Sequence, residues 1–311
     1  MRKPELLINA GSVSDIQRYI AAGADAVLVG EQRYGLRLPG DLTPEELAPA
    51  VAWAHGRGAK VYAAVNRIFD NASLPGLAAY IERLAAIGVD ALVFGDPAVL
   101  TAVRQLESAR RPKLHWNAEM TSTNYATANY WAGQGAARAV LARELNMEQV
   151  LEFKRKASVE AEVQVHGITN IYHSRRELVK SYLEHQGRRA DGEDRSADRG
   201  LFLIEKERQD QRYPIFEDSA GTHIMSSEDI CMLDALPELI DGGVDSFKID
   251  GLLKSALYNE TAIRSYRAAI DAYAADPAGY AFDPEWLAAI ERLQDPEREL
   301  TYGFFYKEQV Y

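Results

Sequence analysis

The chain of 311 residues is poor in nearly everything that would announce a chemistry. It has one cysteine, Cys231. A disulfide within the chain is excluded, and so is an all-cysteine zinc or iron–sulfur site within one chain. No apolar run reaches the length of a membrane span. The N-terminus, Met-Arg-Lys-Pro-Glu, lacks the apolar core of a signal peptide. The expectation is a soluble, cytoplasmic protein with no membrane partner. Positive charge is scarce: 35 Lys and Arg stand against 46 Asp and Glu, a net charge of −11. That argues against holding nucleic acid by a broad basic surface, since phosphate neutralisation needs clustered cations. No His-Glu-x-x-His or His-x-x-x-His spacing occurs, and no Gly-x-Ser-x-Gly elbow. The signatures of a zinc peptidase and of a serine hydrolase are therefore missing.

What is present is a repeat. Short apolar runs at residues 5–10, 24–30, 60–66, 89–95, 113–119, 137–143 and 160–166 read as strands. Helical patterns lie between them at 12–22, 43–55, 74–87, 97–106, 124–133 and 147–156. Thr43 is an N-cap candidate, with Pro44 at the first helical position. Gly23, Gly58, Gly88 and Gly135 each follow a helix, as C-cap glycines do. A helix at 227–240 and an eighth strand at 245–250 complete the series. Cys231 falls at the start of that helix among apolar neighbours and reads as buried core. Eight such units predict an α/β fold, a (β/α)8 barrel forming one domain over residues 1–275. The alternative is an open doubly wound sheet, but the first loop, Ala-Gly-Ser-Val-Ser, lacks its glycine fingerprint. An insertion at about 187–225 follows the seventh strand, first as a charged loop and then as a hairpin. Residues 276–311 form a tail with a short helix and an aromatic end, which is expected to pack on the barrel or on a partner.

Polar residues gather at the strand ends: Asn9, Glu31, Asn66, Asp96, Asn117, Glu119, Arg143, His166, Lys248 and Asp250. In a β/α barrel these converge on one mouth. His166 suits a general acid or base, since its ordinary pKa lies near neutrality. Lys248 and Arg143 suit a carboxylate or phosphate. No metal-ligand set is evident. The basic group Arg175, Arg176, Lys180, Arg188 and Arg189 is the visible candidate RNA patch, with a solvated helix face as the blander reading.

Several ordered segments carry a resemblance. They include Val29-Gly-Glu-Gln-Arg-Tyr-Gly-Leu-Arg37, Lys60-Val-Tyr-Ala-Ala-Val-Asn66, Asp90-Ala-Leu-Val-Phe-Gly-Asp-Pro97 and Val140-Leu-Ala-Arg-Glu-Leu145. They continue with Val165-His-Gly167, Ser196-Ala-Asp-Arg-Gly200, Ser226-Ser-Glu-Asp-Ile-Cys231 and the run from Pro237 to Gly251. Together they resemble the collagenase-like peptidase family U32, whose fold is β/α-barrel-like. Its better-understood members look like oxygen-independent hydroxylation proteins. They act on tRNA wobble uridine with prephenate as hydroxyl source, on ribosomal RNA cytidine, or on ubiquinone precursors. In those members four cysteines hold a four-iron four-sulfur cluster. Two of the positions are Asn170 and Glu177 here, and no cysteine follows the Ser196 to Gly200 element. The resemblance therefore implies a shorter branch without its own cluster, working beside a cysteine-bearing paralogue and meeting tRNA through that complex. On this basis His166 and Lys248 are the catalytic candidates. Arg37, Asn66, Glu119, Arg143 and Asp250 are the substrate-binding ones, with prephenate as a candidate substrate. A collagenase-like peptidase and a non-catalytic structural subunit are the alternatives.

Overall fold

The repeat closes on itself. The computed structural model describes residues 2–117, 123–188 and 191–308. Strands β1 (Glu5–Asn9), β2 (Ala26–Val29), β3 (Lys60–Val65), β4 (Ala91–Phe94), β5 (Lys113–Asn117), β6 (Ala136–Val140) and β7 (Glu160–Ser174) pair in sequence order, all parallel. Strand β11 (Ser246–Asp250) pairs with β7 on one side and with β1 on the other, which seals the barrel. Helices α1 (Val13–Ala22), α2 (Pro44–His55), α3 (Leu77–Ala86), α4 (Pro97–Gln105), α5 (Tyr125–Gly133) and α6 (Met147–Lys156) cross back outside it. Thr43 and Glu46 form a reciprocal capping box with Pro44 in the first turn of α2, so a local signal sets where that helix starts.

Strand periodicity sorts side chains to two faces. Leu6 and Ile8 of β1 face the helices within the large outer core. Leu7 faces the lumen with Ala26, Leu28, Tyr62, Ala64, Ala91, Val93 and Val140. The lumen is thus apolar at its waist, and what lies above and below that waist is polar.

Two expectations fail after His166. Strand β7 does not stop at Gly167 but runs on to Ser174, leaving the barrel as one arm of a ribbon. Gly167 bends it rather than ending it. Its φ is +94°, and a Cβ there would lie 1.9 Å from the Asp250 carbonyl oxygen, so only glycine fits. The predicted helix at 227–240 begins as strand, through Cys231, and is α-helical only from Leu236. After α7 (Leu178–His185) and the hairpin β8 (Phe202–Ile204) and β9 (Arg212–Asp218) comes β10 (Gly221–Cys231), which runs antiparallel to both β9 and the outer half of β7. Only α8 (Leu236–Asp241) is α-helical, and Cys231 ends a strand instead of opening a helix. Its placement in the core holds, at 7% exposure.

Helix α9 (Ala256–Ala275) follows β11, and α10 (Pro284–Glu291) packs on α9. The tail then adds β12 (Leu300–Thr301) beside β10. Phe305 is buried, and its carbonyl accepts from the Met147 N–H at 2.9 Å. Tyr302 and Tyr306 donate to Asp234 (2.6 Å) and Glu238 (2.9 Å) while each keeps an exposed ring face. No helix among the described residues is long and apolar enough to cross a membrane.

Candidate functional site at the barrel mouth

Above the apolar waist lies a cavity lined by Arg37, Asn66, Arg143, Lys248 and Asp250. Asn9, Asn117, Glu162 and Asn170 share it. Each is set by the end of a strand or by the ribbon. Asn9 closes β1, donates from Nδ2 to Asp250 Oδ1 at 3.0 Å and accepts the Gly251 N–H at 2.7 Å. Asp250 also pairs with Lys248, whose Nζ lies 3.3 Å from Oδ2. Asn66 follows β3 and accepts the Leu36 N–H at 2.8 Å, which ties down the loop carrying Arg37. Arg37 itself has φ +54°, an uncommon conformation for a non-glycine residue, so its placement at the cavity is held against local backbone preference. Arg37, Arg143 and Lys248 bring three cations to a cavity of about 30 Å³, donors of the kind that make charge-assisted hydrogen bonds to a carboxylate or phosphate.

The ribbon supplies the roof. Asn170 from β7 and Met225 from β10 line the cavity from above, and Met225 packs with Ile168, Phe216 and Leu252. The ribbon is moored to the rim beyond β3. Arg67 donates to the Ser219 carbonyl at 3.2 Å, and Arg175 pairs with Asp70. His173 and His223 stack in the ribbon with centroids 4.7 Å apart. Burial, and then the neighbouring His223, push His173 below the ordinary histidine range.

Below the waist Arg138 is buried among three carboxylates. It donates to Glu5 Oε1 at 2.6 Å, to Glu160 Oε2 at 2.7 Å and to Glu162 Oε2 at 3.2 Å. Glu5 also receives Lys60 (2.9 Å) and the Tyr62 hydroxyl (2.7 Å), and Arg138 leads the contacts that hold its pKa down to about 2 against burial. Glu162 is fully buried, and that burial pushes its pKa up. It touches both the floor cluster and the cavity. It was not among the predicted site residues, because polar residues alternating along a strand also look like a solvent face.

His166 stands apart from the cavity. Its side chain turns outward, toward α9, and is wholly buried. Nε2 lies 3.0 Å from the Tyr258 hydroxyl and Nδ1 3.3 Å from the Tyr266 hydroxyl. Tyr266 gives its proton to the Val165 carbonyl at 2.8 Å, so His166 donates from Nδ1 and accepts the Tyr258 proton at Nε2. Burial lowers its pKa to about 4, so the imidazole is neutral at pH 7. Thus Arg37, Asn66, Arg143, Lys248 and Asp250 come together and His166 does not join them. Glu119 lies outside the described residues. His115 sits buried in the barrel wall against Tyr62, and its Nδ1 has no hydrogen-bond partner among the described residues. In the basic group, Arg175, Lys180 and Arg188 are each engaged with an acid (Asp70, Asp191 and Glu193), and Arg189 lies outside the described residues.

A four-iron four-sulfur cluster does not fit these residues. Of the two positions at which the family resemblance implies cysteine, Asn170 lines the cavity and Glu177 opens α7, its carboxylate 3.6 Å from Arg195. The sole thiol, Cys231, lies in the core 3.8 Å from the Tyr266 hydroxyl, and burial pushes its pKa up to about 11. An amide, a salt-bridged carboxylate and one buried thiol do not supply four thiolates.

The chain is 53% identical over 312 residues to tRNA hydroxylation protein P2 of Bacillus subtilis (strain 168), covering 100% of both chains. It is 30% identical to tRNA hydroxylation protein P1 of the same strain, covering 100% of this chain and 74% of that one. It is likewise 30% identical to tRNA hydroxylation protein P of Escherichia coli (strain K12), covering 98% and 75%. The model of peptidase family U32 matches residues 11–310, and the chain belongs to that family.

Proposed function

We propose that this chain is a component of tRNA wobble uridine 5-hydroxylation, with prephenate as hydroxyl source and a cluster-bearing paralogue as partner. The observation that carries the reading is the 53% identity, over the whole length, to a tRNA hydroxylation protein. The residue types at the mouth support it: Arg37, Arg143 and Lys248 suit the two carboxylates of prephenate, and Asn66 and Asp250 suit its polar contacts, in a cavity of about 30 Å³ that has to open to admit it. In this reading Lys248 and the arginines bind and orient the anion. Asp250 and Asn9 hold Lys248 in place, and the ribbon roof excludes water. His166 supports the wall from outside the cavity, through Tyr258 and Tyr266. The iron chemistry belongs to the partner, since the residues here do not suit a cluster. Two relatives from one Bacillus strain match this chain, P2 over its full length and P1 over 74% of its own, which fits a pair of paralogues working together. A net charge of −11 and the ion-paired basic group favour RNA contact through that partner, in the cytoplasm where tRNA is modified.

The test is a deletion strain from which any redundant pathway has also been removed. Loss of wobble 5-hydroxyuridine, restored by the gene and not by a Lys248→Met, Arg143→Gln version, is expected. Unchanged 5-hydroxyuridine overturns the reading. Native co-purification that recovers neither an iron-bearing paralogue nor tRNA removes the partner part of it. A peptidase reading finds less support, because Cys231 is buried and its thiol is pushed up, away from a reactive thiolate.

A further inference from the structure

Strand β8 is the last strand of the sheet and pairs only with β9 among the described residues. Its residues are Phe202, Leu203 and Ile204, which are 45, 43 and 52% exposed. Successive side chains of a strand point to opposite faces, so β8 is apolar on both faces and both meet solvent. Such a composition belongs to a strand with neighbours rather than to an edge. Edges are commonly blunted with charge or proline, and this strand carries neither.

The backbone of β8 is set for a further strand. The Ile215 N–H donates to the Leu201 carbonyl at 2.9 Å, and Phe202, Leu203 and Ile204 stand opposite Pro214, Tyr213 and Arg212. In an antiparallel pair, hydrogen-bonded and non-hydrogen-bonded positions alternate. Leu203 therefore bonds inward to Tyr213, and the N–H and C=O groups of Phe202 and Ile204 point away from β9. Pro214 agrees with this register, since it stands opposite Phe202, where no N–H is asked of it.

The sequence around β8 fits a copy of itself run in the opposite direction. A two-fold axis at Leu203 sets Phe202 against Ile204 of the second copy and Ile204 against its Phe202, so the outward backbone groups of each copy meet the other's. Beyond the strand ends the same axis brings Arg199 toward Glu207 of the second copy. Both are exposed, and neither is in an ion pair among the described residues. A parallel arrangement sets each of these charges beside its own kind. We propose that the β8 edge is a self-association surface: two copies of this chain join antiparallel through Phe202, Leu203 and Ile204, with Arg199 of one against Glu207 of the other. The contact is short, at the low end of interface size, so the dimer forms and dissociates with concentration. It does not depend on the tRNA reading.

The test is sedimentation equilibrium of the intact chain from about 1 μM to about 500 μM, a span suited to a small interface. A monomer–dimer equilibrium within that range is expected. Ile204→Pro removes one outward N–H per copy and leaves the inward Leu203 bonds, and it is expected to weaken the dimer about tenfold or more. Glu207→Arg is expected to weaken it roughly fivefold, and Glu207→Arg combined with Arg199→Glu to restore it. Circular dichroism checks that each variant keeps its fold; where Ile204→Pro disturbs the hairpin, the charge reversal decides. A wild type that stays monomeric at the highest concentration overturns the proposal, also where the edge proves to take the cluster-bearing paralogue instead. A dimer indifferent to both Ile204→Pro and Glu207→Arg lies elsewhere on the molecule and overturns it as well. Weakening by Glu207→Arg without rescue by the double reversal overturns the antiparallel register.

Discussion

Arg298 of the C-terminal tail donates from Nη2 to Asp229 Oδ1 at 2.7 Å, and the Asp229 side chain is completely buried. Lys254 from the loop before α9 and Gln294 after α10 meet the same carboxylate. Arg298 also donates to the carbonyls of Ser226 and Glu228, so one guanidinium fastens the tail to β10 at several points. Removing it leaves a buried carboxylate short of a partner. Arg298→Ala is expected to cost roughly 3 to 5 kcal/mol of stability, read as a lowered urea midpoint.

Gly167 is where the barrel wall becomes roof. Gly167→Ala places a methyl group 1.9 Å from the Asp250 carbonyl oxygen, in a φ region that alanine rarely adopts. A loss of roughly 3 kcal/mol or more is expected in urea unfolding. Because the clash pushes on the residue that holds Lys248, anion affinity is expected to fall in any fraction that still folds.

His166 makes stability depend on pH in a stated direction. Its folded pKa, about 4, lies below the ordinary value of 6.5. The unfolded chain therefore takes up a proton first as pH falls. His166 stabilises fully above about pH 6.5, and that contribution, roughly 3 kcal/mol at most, is lost as pH drops toward 4. Urea midpoints measured across that window are expected to fall less steeply for His166→Gln than for the wild type. Equal slopes would show that the imidazole does not sense the change.

Lys248→Met leaves Asp250 its contacts with Asn9 and the Leu252 N–H but removes one of three cations from the cavity. Anion affinity is expected to weaken roughly 30-fold or more. The melting temperature is expected to move much less than in Arg298→Ala. Binding titrations and thermal unfolding on the same preparations separate the two effects.

The barrel was legible because its signals are local. The Thr43 cap and the glycines after helices punctuate a repeat that only a closed or open parallel sheet can use. The mouth residues Asn66, Arg143, Lys248 and Asp250 were legible because strand ends converge once the barrel is assumed. The ribbon was not. Ile230, Leu233 and Ile240 are spaced as in a helix, yet pairing with β7 and β9 draws 221–231 into a strand, so tertiary pairing overrides periodicity. Glu162 was missed and His166 misplaced for one common reason. Alternation along β7 puts the two on one face, yet it does not say that this face is a closed lumen or that an irregularity between Gln164 and His166 turns His166 to the side under a helix.

Strand β7 has a mechanical consequence. One unbroken strand carries Glu162 in the wall, His166 against α9 and Asn170 in the roof. Its stem is paired on both sides by β6 and β11, while its outer arm is held by β10 alone in the described register. It is therefore a beam built into the sheet at its stem and pinned near its tip by Arg67 on the Ser219 carbonyl and by the Arg175–Asp70 pair. Breaking either tip contact is expected to loosen the roof over the cavity, with Gly167 at the bend.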